Sequence, residues 1–274
     1  MKTQSRLSRT KSAQLQEFFN SFSGAMSAVL LLDYDGTLAP FRVDRFKARP
    51  WAGVRGLLDR IQDSSPHRIP TRLVFISGRP AAEIVPLLRL ERPIEIWGLH
   101  GAERVGLDGR RELQQPPAAT LVKLEEVKEK LRRDSFGGRF EEKPNAVVMH
   151  WRGVSAGKAR QIARETRVLF EPLARLKGLT LLEFESGLEL RAGRDKGGAV
   201  QAILREEARR RGPVAFLGDD ITDEAAFQAV NASTRPHLTA LVRRMRRKTA
   251  ASVWLKPPVE LRDFLERWIR ACQR

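Results

Sequence analysis

Three short apolar runs in this chain each end in a cluster of polar residues, and this pattern constrains the fold more than any other feature. The first run leads into Asp-Tyr-Asp-Gly-Thr at 33–37, the second into Ser-Gly-Arg at 77–79, and the third into Gly-Asp-Asp at 218–220. Short apolar runs bounded by such residues are typical of buried strands. Because ligands of parallel sheets bind beyond the carboxyl ends of the strands, we expect the three clusters to form one site.

The order of apolar runs and amphipathic stretches predicts the fold class. A βαβαβ order in the first hundred residues predicts an α/β fold with a parallel sheet and helices on its faces. Between 113 and 192 the order changes to that of a small α+β insert. We therefore predict a core formed by 1–112 and 193–274, with the insert between them. The predicted strands are 28–32, 73–76, 94–97, 146–151 (half exposed), 179–184, 188–191, 214–217 and 253–255. The predicted helices are 54–61, 81–88, 121–131, 156–173, 199–211, 225–230 and 258–270. Two loops are also predicted, a linker at 110–117 and a turn at Ser186-Gly187.

Composition favours a globular protein of a reducing compartment. Hydrophobic residues make up 42% of the 274 residues, which argues against global disorder. Cys272 is the single cysteine, so no internal disulfide can form. No apolar stretch approaches the ~20 residues needed to span a bilayer, and residues 1–25 lack the apolar core of a secretory signal. The spacing of apolar residues from Leu15 to Phe22 instead predicts an amphipathic helix that docks on the core. We expect a cytoplasmic enzyme without a membrane partner.

The net charge of +17 raises the question of an anionic partner. Arginine runs occur at 209–211 and 243–248, and such charge is one mark of nucleic-acid binding. No nucleic-acid fold motif accompanies the runs. We therefore interpret the excess as arginine-rich, solvated helix faces and expect no nucleic-acid partner, while an anionic substrate is consistent with the charge. The sequence carries no signal for an oligomeric state.

The polar clusters contain the groups that phosphate-ester hydrolysis needs, which are a nucleophile, a proton donor and positive charge. Asp33 can act as the nucleophile and form an aspartyl-phosphate. Asp35, just past the strand end, can protonate the leaving oxygen and then deprotonate the attacking water. The hydroxyls of Thr37 and Ser77 can donate to the phosphate, and Gly78 lets the backbone approach it.

The later clusters add charge of both signs. Lys196 lies at a predicted helix N-terminus, where its ammonium can hold both Asp33 and a phosphate oxygen. Asp219, together with Asp33, can ligate Mg²⁺ through oxygen. Asp220 and Asp223 can orient the waters of such an ion.

Each cluster taken singly also has a purely structural interpretation. The segment 33–37 could be a turn, residues 219–220 a helix cap, 77–79 an ordinary strand-to-helix loop, and Lys196 a surface lysine. All four together, in this order and at strand ends, favour a metal-dependent phosphotransfer site.

At these residues the chain resembles the haloacid-dehalogenase (HAD) superfamily of phosphatases. The matching segments are 33–37, 77–79, 195–197 and 218–224. Within that superfamily the chain is similar to the trehalose-6-phosphate phosphatase family. The segments that carry this second likeness are 98–103, 141–143, 150–152, 187–191 and the whole of 218–224. The likeness covers roughly residues 28–255.

The resemblance implies a Rossmann-like core with a mobile α+β cap inserted in it. It implies Asp33 as the nucleophile, Asp35 as the acid and base, and Lys196 as the phosphate anchor. Mg²⁺ would be held by Asp33, the backbone carbonyl of Asp35, and Asp219. Contacts to the substrate are implied for Arg79, His100, Glu141, Lys143, His150, Glu189 and Arg191, of which the last five lie in the cap. From the residues alone, His150 could equally be a strand histidine, and Glu141 and Lys143 a solvated turn.

Three functional hypotheses follow. The first is hydrolysis of trehalose 6-phosphate to trehalose and orthophosphate, with cap closure excluding water. The second is the same chemistry on another sugar phosphate, such as sucrose phosphate or a glycosylglycerate phosphate, which only the cap could distinguish. The third is a basic nucleic-acid-binding protein with a vestigial site, against which the intact acidic clusters argue.

Overall fold

The apolar run at 28–32 forms the central strand of an eight-stranded sheet in the computed structural model of the protein. The structure describes residues 2–42, 44–63, 68–133, 139–143, 145–151, 153–176, 178–184 and 187–273, with side chains from residue 10 onward. The chain divides into two units. The core unit comprises Met1–Leu113 and Lys196–Arg274, and the insert unit comprises Gln114–Asp195.

Twelve strands and eight α-helices are formed by the described residues of the two units. The strands are β1 Ala28–Leu32, β2 Thr71–Ile76, β3 Glu95–Gly98, β4 Glu103–Val105, β5 Arg111–Leu113, β6 Phe140–Lys143, β7 Ala146–His150, β8 Leu179–Phe184, β9 Gly187–Ala192, β10 Val214–Gly218, β11 His237–Val242 and β12 Val253–Leu255. The helices are α1 Lys2–Asn20, α2 Val54–Gln62, α3 Ala81–Leu88, α4 Ala118–Arg133, α5 Ala156–Ala174, α6 Lys196–Glu206, α7 Glu224–Asn231 and α8 Val259–Gln273.

The sheet of the core unit has the order β12-β11-β10-β1-β2-β3-β4-β5. The six strands from β12 to β3 are parallel, whereas β4 and β5 are antiparallel. Every residue of β1 is buried, as expected for a parallel strand covered by helices on both faces. The predicted α/β core, with a parallel sheet and helices on both faces, is confirmed.

The side-chain alternation of β1 separates two hydrophobic clusters. Leu30 and Leu32 pack in the cluster that contains α1, α2, α3 and α8, and Val29 and Leu31 pack in the cluster that contains α6 and α7. In α1, as its apolar spacing predicts, a phenylalanine docks on α8: the ring centroid of Phe18 lies 6.1 Å from that of Trp268. Full burial of a large apolar side chain contributes about 1.5–3 kcal/mol, so these contacts hold α1 on the core.

The insert unit is an α+β layer of a four-stranded antiparallel sheet and two helices, as predicted. Its strand order is β6-β7-β9-β8, and α4 and α5 pack on one face through a hydrophobic cluster that includes Val147, Met149 and Leu190. The prediction that the strand at 146–151 is half exposed is wrong. Residues 146–149 are buried, and Val147 and Met149 among them pack in the cluster that α4 and α5 cover.

Several predicted boundaries differ from the structure. The helix predicted at 199–211 begins at Lys196 and ends at Glu206, where the Ala208 amide bonds to a carbonyl three residues back and a turn begins. The linker predicted at 110–117 contains β5. Gly187 begins β9, while the other residue of the predicted turn, 186, lies outside the described residues. Strands β4, β6 and β11 were not predicted. In the part of the chain that is described, no helix is long and apolar enough to cross a bilayer.

Candidate active site

The loops that follow β1, β2 and β10 meet at the carboxyl edge of the core sheet. These strands are adjacent and parallel, so their ends lie within about 5 Å of each other per strand step. A cavity of about 380 Å³ opens at this edge. Its described lining is Asp33, Asp35, Phe41, Arg42, Arg45, Ser77, Gly78, Arg79, His100, Lys196, Asp219, Asp220 and Thr222. The structure thus brings the predicted residues of all the clusters in the core together.

Asp33 is held at the floor of this cavity with only 3% of its surface exposed. The Lys196 ammonium donates to its Oδ1 at 2.6 Å, and the Thr37 hydroxyl donates to its Oδ2 at 3.0 Å. Burial raises the pKa of Asp33 to about 7, against the lowering effect of Lys196. The carboxylate is therefore fixed in orientation by two donors, with one edge toward the open cavity.

Lys196, at the start of α6, lies between two carboxylates. Its Nζ is 2.6 Å from Asp33 and 2.7 Å from Asp223. Although burial lowers it, the pKa of Lys196 is raised above its usual value by Asp223 and Asp33, so the side chain stays an ammonium. Gly197 allows this placement, because a Cβ atom there would stand 2.7 Å from the carbonyl oxygen of Ala225 in α7.

In the acidic loop after β10, Asp223 and Asp219 differ in their hydrogen bonding. Both oxygens of Asp223 have donors, since Oδ1 accepts from Lys196 and Oδ2 accepts from the amides of Asp219 and Asp220. No described residue donates to the Asp219 carboxylate, which is 6% exposed and lies so close to the backbone of Gly36 that a Cβ atom there would overlap it. Burial, with repulsion from Asp33, raises the pKa of Asp219 to about 9.

This donor set fits a hard divalent cation. Ligand atoms of Asp33, Asp219 and Asp223 lie within 4.8 Å of one another, and all three residues are buried. Among the described residues, the ammonium that pairs with these three carboxylates is Lys196, which contacts Asp33 and Asp223, so the cluster carries an excess of negative charge. Oxygen donors of this kind suit Mg²⁺, which takes one or two carboxylates. Asp33 and Asp219 line the cavity, whereas Asp223 is fully buried, so Asp33 and Asp219 are the two carboxylates that an ion in the cavity can reach.

Asp35 forms an ion pair with Arg79, and the sequence analysis did not predict this contact. Arg79 Nε lies 2.5 Å from Asp35 Oδ2, and Nη2 lies 2.6 Å from Oδ1. The third nitrogen, Nη1, donates to the carbonyl of Arg45 at 2.8 Å. A two-point pair of this kind fixes the carboxylate geometrically. The predicted contact of Arg79 with phosphate stays a prediction, and the structure assigns the guanidinium to Asp35.

Ser77, Gly78 and His100 form the side of the cavity beside Arg79. His100 has φ 57°, a left-handed conformation that costs a non-glycine residue free energy. Its amide donates to the carbonyl of Ser77 at 2.8 Å. A Cβ atom on Gly78 would stand 2.6 Å from the His100 Nε2, so only glycine lets this imidazole lie against the backbone.

Asp220 caps a helical turn, which is the purely structural interpretation given above for residues 219–220. Its Oδ1 accepts from the amide of Ile221 at 2.7 Å, at the start of a 3₁₀ turn. Thr222, Phe41, Arg42 and Arg45 line the cavity and were missed by the sequence reasoning. No motif spacing marks the last three, which lie in the loop after β1.

The five residues predicted to contact sugar lie on one face of the insert sheet. Strand pairing places Glu141 in register with Glu189, and Lys143 in register with Arg191, across β7, and His150 lies on the same side. This face is opposite the one that α4 and α5 cover. Arg191 Nη2 lies 2.8 Å from Glu189, and His150 lies 3.1 Å from Glu141. Their sugar contacts stay predictions.

Comparison with known protein families gives a match along most of the chain. The family model described as trehalose-phosphatase matches residues 31–257. A trehalose-phosphate phosphatase of Mycolicibacterium paratuberculosis is 29% identical, over 87% of this chain and 61% of its own length. A probable trehalose-phosphate phosphatase of Arabidopsis thaliana is 27% identical, over 88% and 71%. The chain thus spans about three-fifths of the mycobacterial relative.

Solved structures agree on the fold. The trehalose-6-phosphate phosphatase of Aspergillus fumigatus superposes with a TM-score of 0.72 at 22% identity, covering 95% of this chain and 98% of that one. A haloacid dehalogenase-like hydrolase of Bacteroides thetaiotaomicron gives 0.59 at 18% identity, covering 88% and 99%. At such identities the likeness identifies a HAD-like fold.

Proposed function

This chain belongs to the trehalose-phosphatase family, and we propose that it hydrolyses trehalose 6-phosphate to trehalose and orthophosphate, a step of trehalose biosynthesis. The observation that carries the proposal is the placement of Asp33, bonded to Lys196 and Thr37, in one cavity with Asp35 and Asp219. Relatives named for this activity match along most of the chain.

The chemistry proceeds in two displacements. An oxygen of Asp33 attacks phosphorus and forms an aspartyl-phosphate, while the bond from phosphorus to the sugar oxygen breaks. Asp35 donates its proton to that departing oxygen, and the sugar leaves. Asp35 then takes a proton from a water that attacks the phosphorus, which frees the Asp33 carboxylate and orthophosphate. Lys196 and the Ser77 hydroxyl hold phosphoryl oxygens through both steps.

We assign Mg²⁺ to Asp33, Asp219 and the backbone carbonyl of Asp35, with Asp220 and Asp223 arranging its surroundings. When bound, it supplies positive charge to the phosphoryl oxygens. The support is the buried carboxylate cluster, in which Asp219 has no donor among the described residues.

Sugar recognition is assigned to the insert unit, which would act as a cap. Glu141, Lys143, His150, Glu189 and Arg191 offer carboxylates and cations on one sheet face, and such groups hydrogen-bond well to neighbouring hydroxyls. We further propose that the enzyme works in the cytoplasm without a nucleic-acid partner, consistent with its one cysteine, a free buried thiol.

A substrate panel tests the proposal. Phosphate release is measured for trehalose 6-phosphate, sucrose phosphate, a glycosylglycerate phosphate and acetyl phosphate, with Mg²⁺ and with EDTA. Trehalose 6-phosphate should give the highest kcat/KM among the sugar phosphates, and EDTA should abolish turnover until Mg²⁺ is restored. A better sugar phosphate would replace the proposed substrate, whereas no release from any compound would overturn the phosphatase assignment.

A further inference from the structure

The loop between β1 and α2 brings an exposed aromatic side chain to the catalytic cavity. Phe41 is 67% exposed and lines the same cavity as Asp33 and Asp35. Arg42 follows it in that lining. Phe46, in the same loop, is exposed to a similar extent, 61%, but the described lining of the cavity does not include it. Position at the cavity, and not exposure alone, therefore distinguishes Phe41.

The loop is hydrogen-bonded to residues of the catalytic cavity and to their neighbours in the chain. The Trp51 indole donates to the carbonyl of Thr37 at 3.2 Å. The guanidinium of Arg79 donates to the carbonyl of Arg45 at 2.8 Å and binds both oxygens of Asp35 with its other nitrogens. The place of the loop relative to Asp35 is therefore set by direct hydrogen bonds.

The cavity is larger than a phosphoryl group requires. Its floor, with Asp33, Lys196 and Ser77, accounts for the phosphoryl oxygens. The remaining lining of the roughly 380 Å³ includes Asp35 and three residues of the loop, Phe41, Arg42 and Arg45. Because Asp35 protonates the departing oxygen, the group attached to that oxygen must lie near this part of the lining.

The chemistry of the loop suits a sugar ring. A sugar ring has C–H faces that pack on an aromatic face, and release of water from an exposed phenyl ring favours that contact. A guanidinium donates hydrogen bonds to hydroxyl oxygens. Arg42 forms no ion pair with any residue that the structure describes, whereas Arg45 is paired with Glu83. Of the two loop arginines that line the cavity, Arg42 is thus the one without a carboxylate partner among the described residues.

We infer that Phe41 and Arg42 form a sugar-binding subsite on the core unit. One ring of the leaving group packs its C–H face on Phe41, and its hydroxyls accept hydrogen bonds from Arg42. The subsite rests on the proposed function, because it binds the leaving group of the same reaction. It makes the core unit, as well as the insert, a contributor to substrate choice.

Matched variants on the same loop test the subsite. Phe41→Ala should raise KM for trehalose 6-phosphate about tenfold, which corresponds to about 1.4 kcal/mol and to roughly half of the burial free energy of a phenylalanine side chain. Phe41→Tyr keeps the aromatic face and should behave as wild type. Arg42→Gln should also raise KM. The control Phe46→Ala should change nothing, and acetyl phosphate, which has no sugar, should be turned over equally by all of these proteins.

Two results would overturn the subsite. One is a Phe41→Ala variant with the sugar-phosphate kinetics of Phe46→Ala. The other is an equal loss on acetyl phosphate, which would indicate a general disturbance of the cavity. If wild type hydrolyses acetyl phosphate and prefers a different sugar phosphate, the proposed substrate fails on its own. The Phe41 and Phe46 variants are then compared on that preferred compound, and the same two results would overturn the subsite.

Discussion

Replacing Asp219 by asparagine should stabilise the metal-free protein while destroying its response to Mg²⁺. In the folded state the Asp219 carboxylate is buried near Asp33 and Asp223, whereas in the unfolded chain it is solvated. The folded pKa of about 9 lies above the ordinary value of 3.8, so between these values the folded state binds more protons than the unfolded state. By linkage, the stability of the metal-free protein falls as pH rises through this range.

The size of the effect follows from the charges. The ligand atoms of these carboxylates lie within 4.8 Å of one another, and two unit charges at that distance repel by about 3.5 kcal/mol at an effective dielectric constant of 20. Asp219 has two such neighbours, and the Lys196 ammonium offsets part of the repulsion. We expect Asp219→Asn to raise the free energy of unfolding by about 2–4 kcal/mol at pH 8, or the melting temperature by about 5–10 °C. At pH 4.5 the gain should shrink, because Asp219 is then protonated in the folded wild type and carries no charge for its neighbours to repel.

Thermal unfolding in EDTA at pH 4.5, 6 and 8 measures this effect. Asp220→Asn is the matched control, since that carboxylate belongs to the same loop but caps Ile221; it should give no stabilisation. Added Mg²⁺ should raise the melting temperature of wild type by mass action and leave Asp219→Asn unchanged. An Asp219→Asn variant that is no more stable than wild type at pH 8, or equally more stable at every pH, would refute the reasoning.

Three further predictions concern the rest of the chain. Arg79→Gln should lower kcat about 100-fold with little change in KM, because Asp35 loses the two hydrogen bonds that orient it. Arg79→Lys should recover part of that loss. Steady-state kinetics in which Arg79→Gln changes KM alone would contradict this prediction. Trp268→Ala should cost about 3–5 kcal/mol of unfolding free energy in urea, because α1 loses its docking ring; an unchanged midpoint would argue against that packing. Glu189→Gln should raise KM for trehalose 6-phosphate about tenfold and leave acetyl phosphate turnover unchanged, and equal losses on both substrates would exclude a sugar contact.

The core sheet and its site clusters were predictable because their signals are local in sequence. An apolar run such as 28–32 marks a parallel strand buried on both faces, and the residue after it must stand at the carboxyl edge. The clusters at 33–37, 77–79 and 218–220 could therefore be placed together without knowing any distance between them.

The contact of Lys196 with Asp33 was predicted and forms, but other side-chain pairs across the fold were not predictable. Arg79 and Asp35 are 44 residues apart, and nothing in either cluster shows that they pair. Strand β11 was missed because Thr239 interrupts its apolar run, although the hydroxyl of this fully buried residue is bonded to Asn231. The loop with Phe41 has no periodicity, so only the cavity reveals its place.

Trapping the reaction intermediate tests the central claim most directly. Wild-type protein is mixed with trehalose 6-phosphate and Mg²⁺, quenched in acid within milliseconds, digested and mapped by mass spectrometry. The account predicts a phosphoryl adduct on the peptide that contains Asp33, absent from Asp33→Asn, which should fold normally and release no phosphate. An adduct on another residue, or full phosphate release by Asp33→Asn, would contradict it.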